Sequence, residues 1–314
     1  MTTYLLRRLM ALVPVLAVVL TVVFMLIHLI PGDPASAMLG PSATTEQIEA
    51  TRRDLGLDRP LWDQLVRFYA RIARGDLGHS YFLNRPVTTT LWERAEPTLA
   101  LTLSALLVAV AIGVPAGIVA GAHPGSALDR FLMLGALLGV CVPGFWLSLN
   151  FIYLFAVRLA WLPAGGYASF LADPGAALRF MVLPALSLGF SQSALIARIT
   201  RSCMIEVLAQ DYIRTARAKG LPQRAVVYVH AFRNALVPVV TVIGITMAIL
   251  IGGAVVTEIV FNIPGLGRLV VSAILRRDYP VVQGVILVTA VAYVLINLVV
   301  DLVYALIDPR IRYD

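Results

Sequence analysis

Long apolar runs separated by short polar intervals set the plan of this chain. Crossing a bilayer as a helix takes about 20 apolar residues. Six stretches meet that length: Leu9–Ile30, Leu99–Gly121, Phe131–Val157, Met181–Thr200, Leu236–Thr257 and Val281–Ile307. The fourth is interrupted by Pro184, Gly189, Ser191, Gln192 and Ser193. Such residues are tolerated where a helix faces protein or water and are costly where it faces lipid. The fourth helix is therefore expected in the interior or beside an aqueous path.

Between the first two runs lies a polar segment, Pro31–Pro97, with a helical pattern of its own. Thr44 or Thr45 can cap a first short helix, with Gln47 three residues after Thr44 in a capping-box arrangement. Gly56 is a natural stop. Pro60 can open a second helix at its first position, in which Leu61, Leu65, Phe68 and Ile72 recur at helical spacing before Gly75 ends it. This insertion reads either as a small cap packed on the membrane face or as a docking surface for an external partner.

Composition agrees with the pattern. Of 314 residues, 59% are hydrophobic and 14% charged, against about 25% charged in soluble domains. The fold class is an all-α integral membrane protein. Arg7 and Arg8, then Arg130, then Arg198 to Arg233, then Arg310 and Arg312 fall on one side of a six-span topology, and the bias of short loops places both termini in the cytoplasm. The first run is too long for the apolar core of a cleaved signal peptide, although Ala35-Ser36-Ala37 resembles a cleavage site. Net charge is +7, but no basic run interleaved with aromatics suggests nucleic acid. Two cysteines, Cys141 and Cys203, are too few for a disulfide framework and are expected as small buried hydrophobes.

The segment most informative about function is Asp211–Pro238, DYIRTARAKGLPQRAVVYVHAFRNALVP, between the fourth and fifth runs. Asp211–Lys219 can form a short helix with an acid at its start and Arg217 and Lys219 at its end, as the helix dipole favours. Gly220 stops it and Pro222 bars continuation. Tyr212, Ala216 and Lys219 fall on one side, and Thr215, Ala216 and Ala218 are small. A basic helix lying on lipid would carry large apolar anchors. Here Tyr212 and Ile213 are the only ones, which favours docking into another protein.

The same stretch resembles the EAA loop of ABC importer permeases, a helix–Gly–helix segment that inserts into the ATPase subunit. The chain as a whole is similar to the B-type permeases of dipeptide, oligopeptide, nickel and glutathione importers. The matching pieces are IPGDP at Ile30–Pro34, GLDRPLWDQ at Gly56–Gln64, GDLGHS at Gly75–Ser80 and RPV at Arg85–Val87. Beyond the loop come TEIVFNIPGLGRL at Thr257–Leu269, RRDYPVVQ at Arg276–Gln283 and DPRIR at Asp308–Arg312. Where the wider family has Glu-Ala-Ala, this chain has Arg214, Thr215 and Ala216, and the closing proline falls later, at Pro238.

The resemblance implies a type I importer permease fold of six transmembrane helices. Residues 1–30 would hold the first span, 31–97 the external insertion, and 98–314 the permease core with a cytoplasmic coupling loop at 201–235. It further implies a second, related permease, two ATP-binding subunits carrying ATP and Mg, an external substrate-binding protein, and no cofactor in this chain. Asp211, Tyr212, Arg214, Thr215, Ala216, Lys219 and Gly220 would couple to the ATPases. Glu258 and Phe261, before the turn Pro264-Gly265-Leu266-Gly267, together with Gln192 and Ser191, are candidates for the path or its gate.

No GxxxxGK[ST] phosphate loop, HExxH or CxxC occurs in the sequence, so an ATP site of that type is expected elsewhere. Asn297 and Asp301 share a helix face, with Arg310 and Arg312 close enough for an interfacial ion pair. Two rivals remain at this stage. A self-sufficient secondary transporter would show inverted repeats, and none is visible. A structural membrane subunit would show no transport phenotype on deletion. Peptides are the expected solute, with nickel, glutathione or another small solute as alternatives.

Overall fold

A computed structural model describes residues 2–29, 33–39, 43–54 and 56–307. Ile30–Gly32 of the IPGDP piece, the whole DPRIR piece, and hence the proposed partners Arg310 and Arg312, lie outside the described residues. Helices account for most of what is described, and the chain falls into two units: 1–96 with 265–294, and 97–264 with 295–314.

In the first unit, α1 (Thr2–Leu29) packs with the insertion helix α4 (Leu61–Ala73), and a short α2 (Pro34–Leu39) packs with α3 (Thr45–Asp54). The capping box forms as expected. The Thr44 amide donates to Gln47 Oε1 at 2.9 Å, and the Gln47 amide donates to Thr44 Oγ1 at 3.3 Å. Gly56 and Gly75 close the two helices at φ +68° and +77°, a region that glycine enters without strain. Pro60 stands one residue before α4 rather than inside it.

Of the stripe expected on α4, Leu61 is exposed, whereas Phe68 is buried with Leu65 and Ile72 against Leu20, Val23 and Phe24 of α1. Polar links also join the pair, with Thr21 Oγ1 2.8 Å from the Tyr69 hydroxyl. The Tyr69 hydroxyl donates to the Ala17 carbonyl at 2.7 Å, and His28 Nε2 lies 3.2 Å from Gln64 Oε1.

The rest of this unit is α12 (Leu266–Leu275) and the first part of α13 (Tyr279–Ile307). Between them, the buried Asp278 carboxylate accepts from Ser80 Oγ at 2.5 Å and from the amides of Tyr81 and Phe82. Burial, and secondarily this carboxylate, push the Tyr81 phenol up to about 12.

The second unit is built around α8 (Pro174–Leu208), the helix of the interrupted fourth run. Its 35 residues rise about 52 Å, more than the ~30 Å hydrocarbon core. It therefore continues for two turns beyond Thr200, into what the sequence suggested was loop. Of its most apolar window, 56% is buried, against 17–33% for α5, the span reaching Val260, and α13. The polar interruptions are explained by that central position. Ser191 Oγ donates to the Gly139 carbonyl at 2.8 Å, and Ser148 Oγ donates to Ser187 Oγ at 3.1 Å.

Glycines set how closely α5 (Val87–Ala122) approaches α8. A Cβ on Gly117 would stand 2.6 Å from the Ala197 carbonyl oxygen, and one on Gly113 2.7 Å from that of Ser193. Small residues four apart let helix backbones meet in membranes, where no hydrophobic force drives helices together.

The expected third span is not one helix. α6 (Ala127–Cys141) and α7 (Gly144–Phe151), the latter continued by a π-helical turn over Ile152–Arg158, meet at an angle of 101°. Pro143 lies at the break, where it has no amide to donate to the last carbonyls of α6 and so bars that helix from continuing. Among the described residues, then, four helices are long and apolar enough to cross, and a fifth span exists if the bent pair counts as one. α1 runs Thr2–Leu29, with its apolar stretch described over Val13–Met25. Cys141, at the break, is exposed rather than buried, and Cys203 is half-buried. One side of α6 packs on α8, and apolar residues on its other side, Phe131 and Leu134 among them, are exposed.

Candidate coupling loop and helix break

The short helix expected at Asp211–Lys219 is present as α9 (Asp211–Ala218). Ile213 is fully buried and Ala216 nearly so. They pack with Ile118 of α5, Met204 of α8, and Val226, Val227 and Ala231 of a second π-helical turn, Val226–Ala231. That turn follows α10 (Gln223–Ala225) and leads into α11 (Phe232–Val260).

The outward side is charged and open. Asp211, Tyr212, Arg214, Thr215, Lys219 and Gly220 are all exposed, and among the described residues Arg214 pairs with Asp211 alone, at 3.4 Å. Ala216 must therefore be moved from the docking face expected for it to the back of the helix. Ile213, unassigned by sequence reasoning, is its anchor. The available signal was an isolated large apolar residue three before a small one, in a helix otherwise polar.

Gly220 closes α9 at φ +80°, with nothing within 4 Å of where a Cβ would stand. Its requirement is thus one of backbone conformation, not of space. The Gly220 amide donates to the Arg217 carbonyl at 2.9 Å. Pro222, extended at φ −62° and ψ 141°, caps α10.

One ion pair ties the first turn of α6 to α8. Arg201 Nε and Nη2 donate to the two oxygens of Asp129 at 2.6 and 2.8 Å. The Asp129 side chain is 4% exposed and that of Arg201 28%, and the Gly125 amide donates to Asp129 as well. Removing one partner of a buried pair costs about 3–5 kcal/mol. With Arg201 partly in solvent, Asp129→Ala is expected to cost about 1–3 kcal/mol, read as a lower unfolding midpoint that Asp129→Glu partly restores. Sequence reasoning missed this pair. Its one signal was an acid three residues after Ser126 at the start of an apolar helix.

At the other end of α11, Glu258 is fully buried and accepts from Thr98 Oγ1 at 2.6 Å. Phe261 is also buried, among Leu101, Met181 and Leu183. Here the helix ends. Asn262 turns at φ +55°, and the Ile263 amide donates back to the Glu258 carbonyl at 2.8 Å. The Phe261 carbonyl accepts from the Gly166 amide at 2.8 Å, and a Cβ on Gly165 would stand 2.5 Å from that oxygen. The Gly165-Gly166 pair is thus what lets a second stretch of backbone close on the break.

Both expected path residues of this corner are enclosed rather than set on an open wall. Ser191 and Gln192 on α8 are half-buried. Asn297 is exposed and Asp301 half-buried on α13. No group of three or more metal-ligating side chains is found among the described residues.

A family model described as the binding-protein-dependent transport system inner membrane component matches residues 113–313, and a companion model for the N-terminal part of such membrane components matches residues 1–102. The chain belongs to this family. It is a multi-pass membrane permease subunit of an ABC transporter.

It is 45% identical over 313 residues to a probable peptide ABC transporter permease of Sinorhizobium fredii, with 100% of both chains covered. It is 46% identical over 314 residues to a putative peptide transport system permease of Brucella abortus, again over the full length of both. A glutathione transport system permease of Escherichia coli is 44% identical over 313 residues, with both chains fully covered. In fold it is similar to a chain of the MetNI methionine ABC transporter in an inward-facing conformation, with a TM-score of 0.59 and 20% identity. That likeness covers 70% of this permease and 97% of the MetNI chain.

Proposed function

We propose that this permease forms one half of the translocation path of an ATP-driven peptide importer. In this proposal α9 is the lever through which ATPase subunits move it. The observation that carries the reading is the division of α9 into a buried back, Ile213 and Ala216, and an exposed charged front. A helix that transmits force needs both a surface for the partner and a rigid seat in the core. Full-length similarity to permeases named for peptide transport supports the choice of solute. Glutathione, the solute in the name of another full-length relative, is the second choice, itself a small peptide.

The assembly proposed has a second, related permease, two ATP-binding subunits that hold ATP and Mg and perform hydrolysis, and an external binding protein that selects the solute. Both termini and the coupling loop face the cytoplasm, the insertion at 31–97 faces outward, and residues 98–314 carry the core. Asp211, Tyr212, Arg214, Thr215, Lys219 and Gly220 meet the ATPase, with Ala216 seating the helix from behind. Glu258 and Phe261 hold the corner at the end of α11, and Ser191 and Gln192 shape the path beside it. Nucleotide-driven closure of the ATPases then shifts the population between outward- and inward-facing forms.

Purification in mild detergent followed by mass spectrometry tests the assembly. A second permease and ATPases bearing phosphate loops are expected to come with this chain. Recovery of this chain alone, transporting peptide in vesicles without ATP, would overturn the proposal.

A further inference from the structure

One cavity of the first unit is used by nothing described so far. It is an open space of about 480 Å³ where the last turns of α1 meet α4, bounded also by Tyr81 and Gln283. Its walls are of two kinds. Phe24 and Phe68, both buried, form an apolar back. The rim is cationic, with Arg53, Arg59, Arg67, Arg71 and Arg74 all lining the cavity.

Among the described residues, few carboxylates answer these five. Asp63 accepts from Arg59 and Arg67 at 3.2 and 3.1 Å, and Asp76, also at the rim, accepts from the Gly78 amide at 2.8 Å. Arg71 and Arg74 carry no ion pair or side-chain hydrogen bond among the described residues. They stand three apart on one face at the end of α4, the spacing at which neighbouring helix side chains converge.

We propose that this cavity is an oxyanion site that seats the phosphate of a phospholipid headgroup. Three features select that ligand. Guanidinium groups match the geometry of phosphate oxygens and bind them in a bidentate fashion. The volume falls in the range of about 300–1,000 Å³ typical of small-molecule sites, room for a headgroup rather than for a bare ion. The depth is right as well. α1 presents Val18 and Val22 to the outside, and the cavity lies at His28, where this apolar helix ends. That is the level at which a bilayer places its phosphates, and where arginine side chains at the ends of membrane helices reach the headgroups. Tyr81, whose phenol stays protonated, adds a donor to the rim. A free phosphate ion has the same chemistry, and the experiment separates the two sources.

The test is native mass spectrometry of the full chain, with its co-purifying subunits, in neutral detergent. Phosphatidylglycerol, and separately inorganic phosphate, are titrated into the wild type and into an Arg71→Gln, Arg74→Gln double variant. Unfolding in lipid-free detergent checks that the variant is folded. The wild type is expected to retain phosphatidylglycerol at least about ten-fold more strongly than the variant, with phosphate competing. Retention of phosphate without any preference for the lipid would uphold the oxyanion site and assign it to a soluble ion.

Equal retention by wild type and variant would overturn the proposal. So would unchanged lipid binding together with loss of a co-purifying protein, which would make the arginines a protein contact. If the glutamine variant fails to fold, Arg71→Lys with Arg74→Lys keeps the charge while removing the bidentate fork. Weaker retention by that variant supports the site, and retention equal to wild type overturns it.

Discussion

Arg214→Glu is expected to abolish ATP-driven uptake while leaving the amount of permease in the membrane unchanged. The fold has little stake in this side chain, which is 76% exposed and touches only Asp211, itself 93% exposed. Exposed pairs of this kind contribute about 0–1 kcal/mol. Across an interface, however, a reversed charge costs several kcal/mol, and each 1.4 kcal/mol is a factor of ten in affinity. A fall in uptake of about 100-fold or more, with loss of co-purifying ATPase, is the expected outcome.

Gly220→Trp should act similarly, and Gly220→Ala separates its causes. Alanine brings the strain of φ +80°, about 1–2 kcal/mol, without bulk at the partner's surface. Partial uptake in Gly220→Ala beside none in Gly220→Trp is expected. Normal uptake by Arg214→Glu or Gly220→Trp would remove α9 from the coupling path.

Gly117→Leu should have the largest effect on the fold itself. A Cβ there would stand 2.5 Å from Thr200 Cβ and 2.6 Å from the Ala197 carbonyl oxygen. A backbone oxygen in α8 cannot rotate aside as a side chain can, so the two helices must separate along the seam. Overpacking of a core costs about 1–3 kcal/mol and at times more, and here the contacts at Gly113 and Gly121 open together with it. Loss of most folded protein from the membrane fraction is expected. Gly135→Leu is the control, because nothing lies within 4 Å of that position. Equal yields of the two variants would show that helix approach at Gly117 does not hold this unit together.

Much of this was readable in the sequence wherever a local rule decides. The capping box at Thr44 and Gln47, the stops at Gly56, Gly75 and Gly220, and the helix at Asp211 each depend on residues within a turn of one another. The departures have a common cause, in that they depend on tertiary neighbours. Periodicity could not assign the back of α9 to Ile213 and Ala216, because the cradle that receives them comes from α5, α8 and the turn at Val226. The weakness of the fourth run was legible, but its central place became visible only with the serines bonded to neighbouring helices. Pro143 lay inside an apolar run long enough to cross, and nothing local distinguishes a tolerated proline from one at a bend of 101°. The Asp129–Arg201 pair joins residues 72 apart in sequence, a distance at which spacing carries no signal.

The π-helical turn at Val226–Ala231 has a consequence for how motion could pass through this region. Each such turn holds roughly one residue more than an α-helical turn, so it behaves like a dislocation in a crystal. Passing the spare residue one place along the helix turns a side chain by about 100° and shifts it by about 1.5 Å, while the neighbouring hydrogen bonds re-form with new partners. Val226, Val227 and Ala231 are the residues on which Ile213 and Ala216 rest. The seat of the proposed lever is therefore made of helix that can change register without melting.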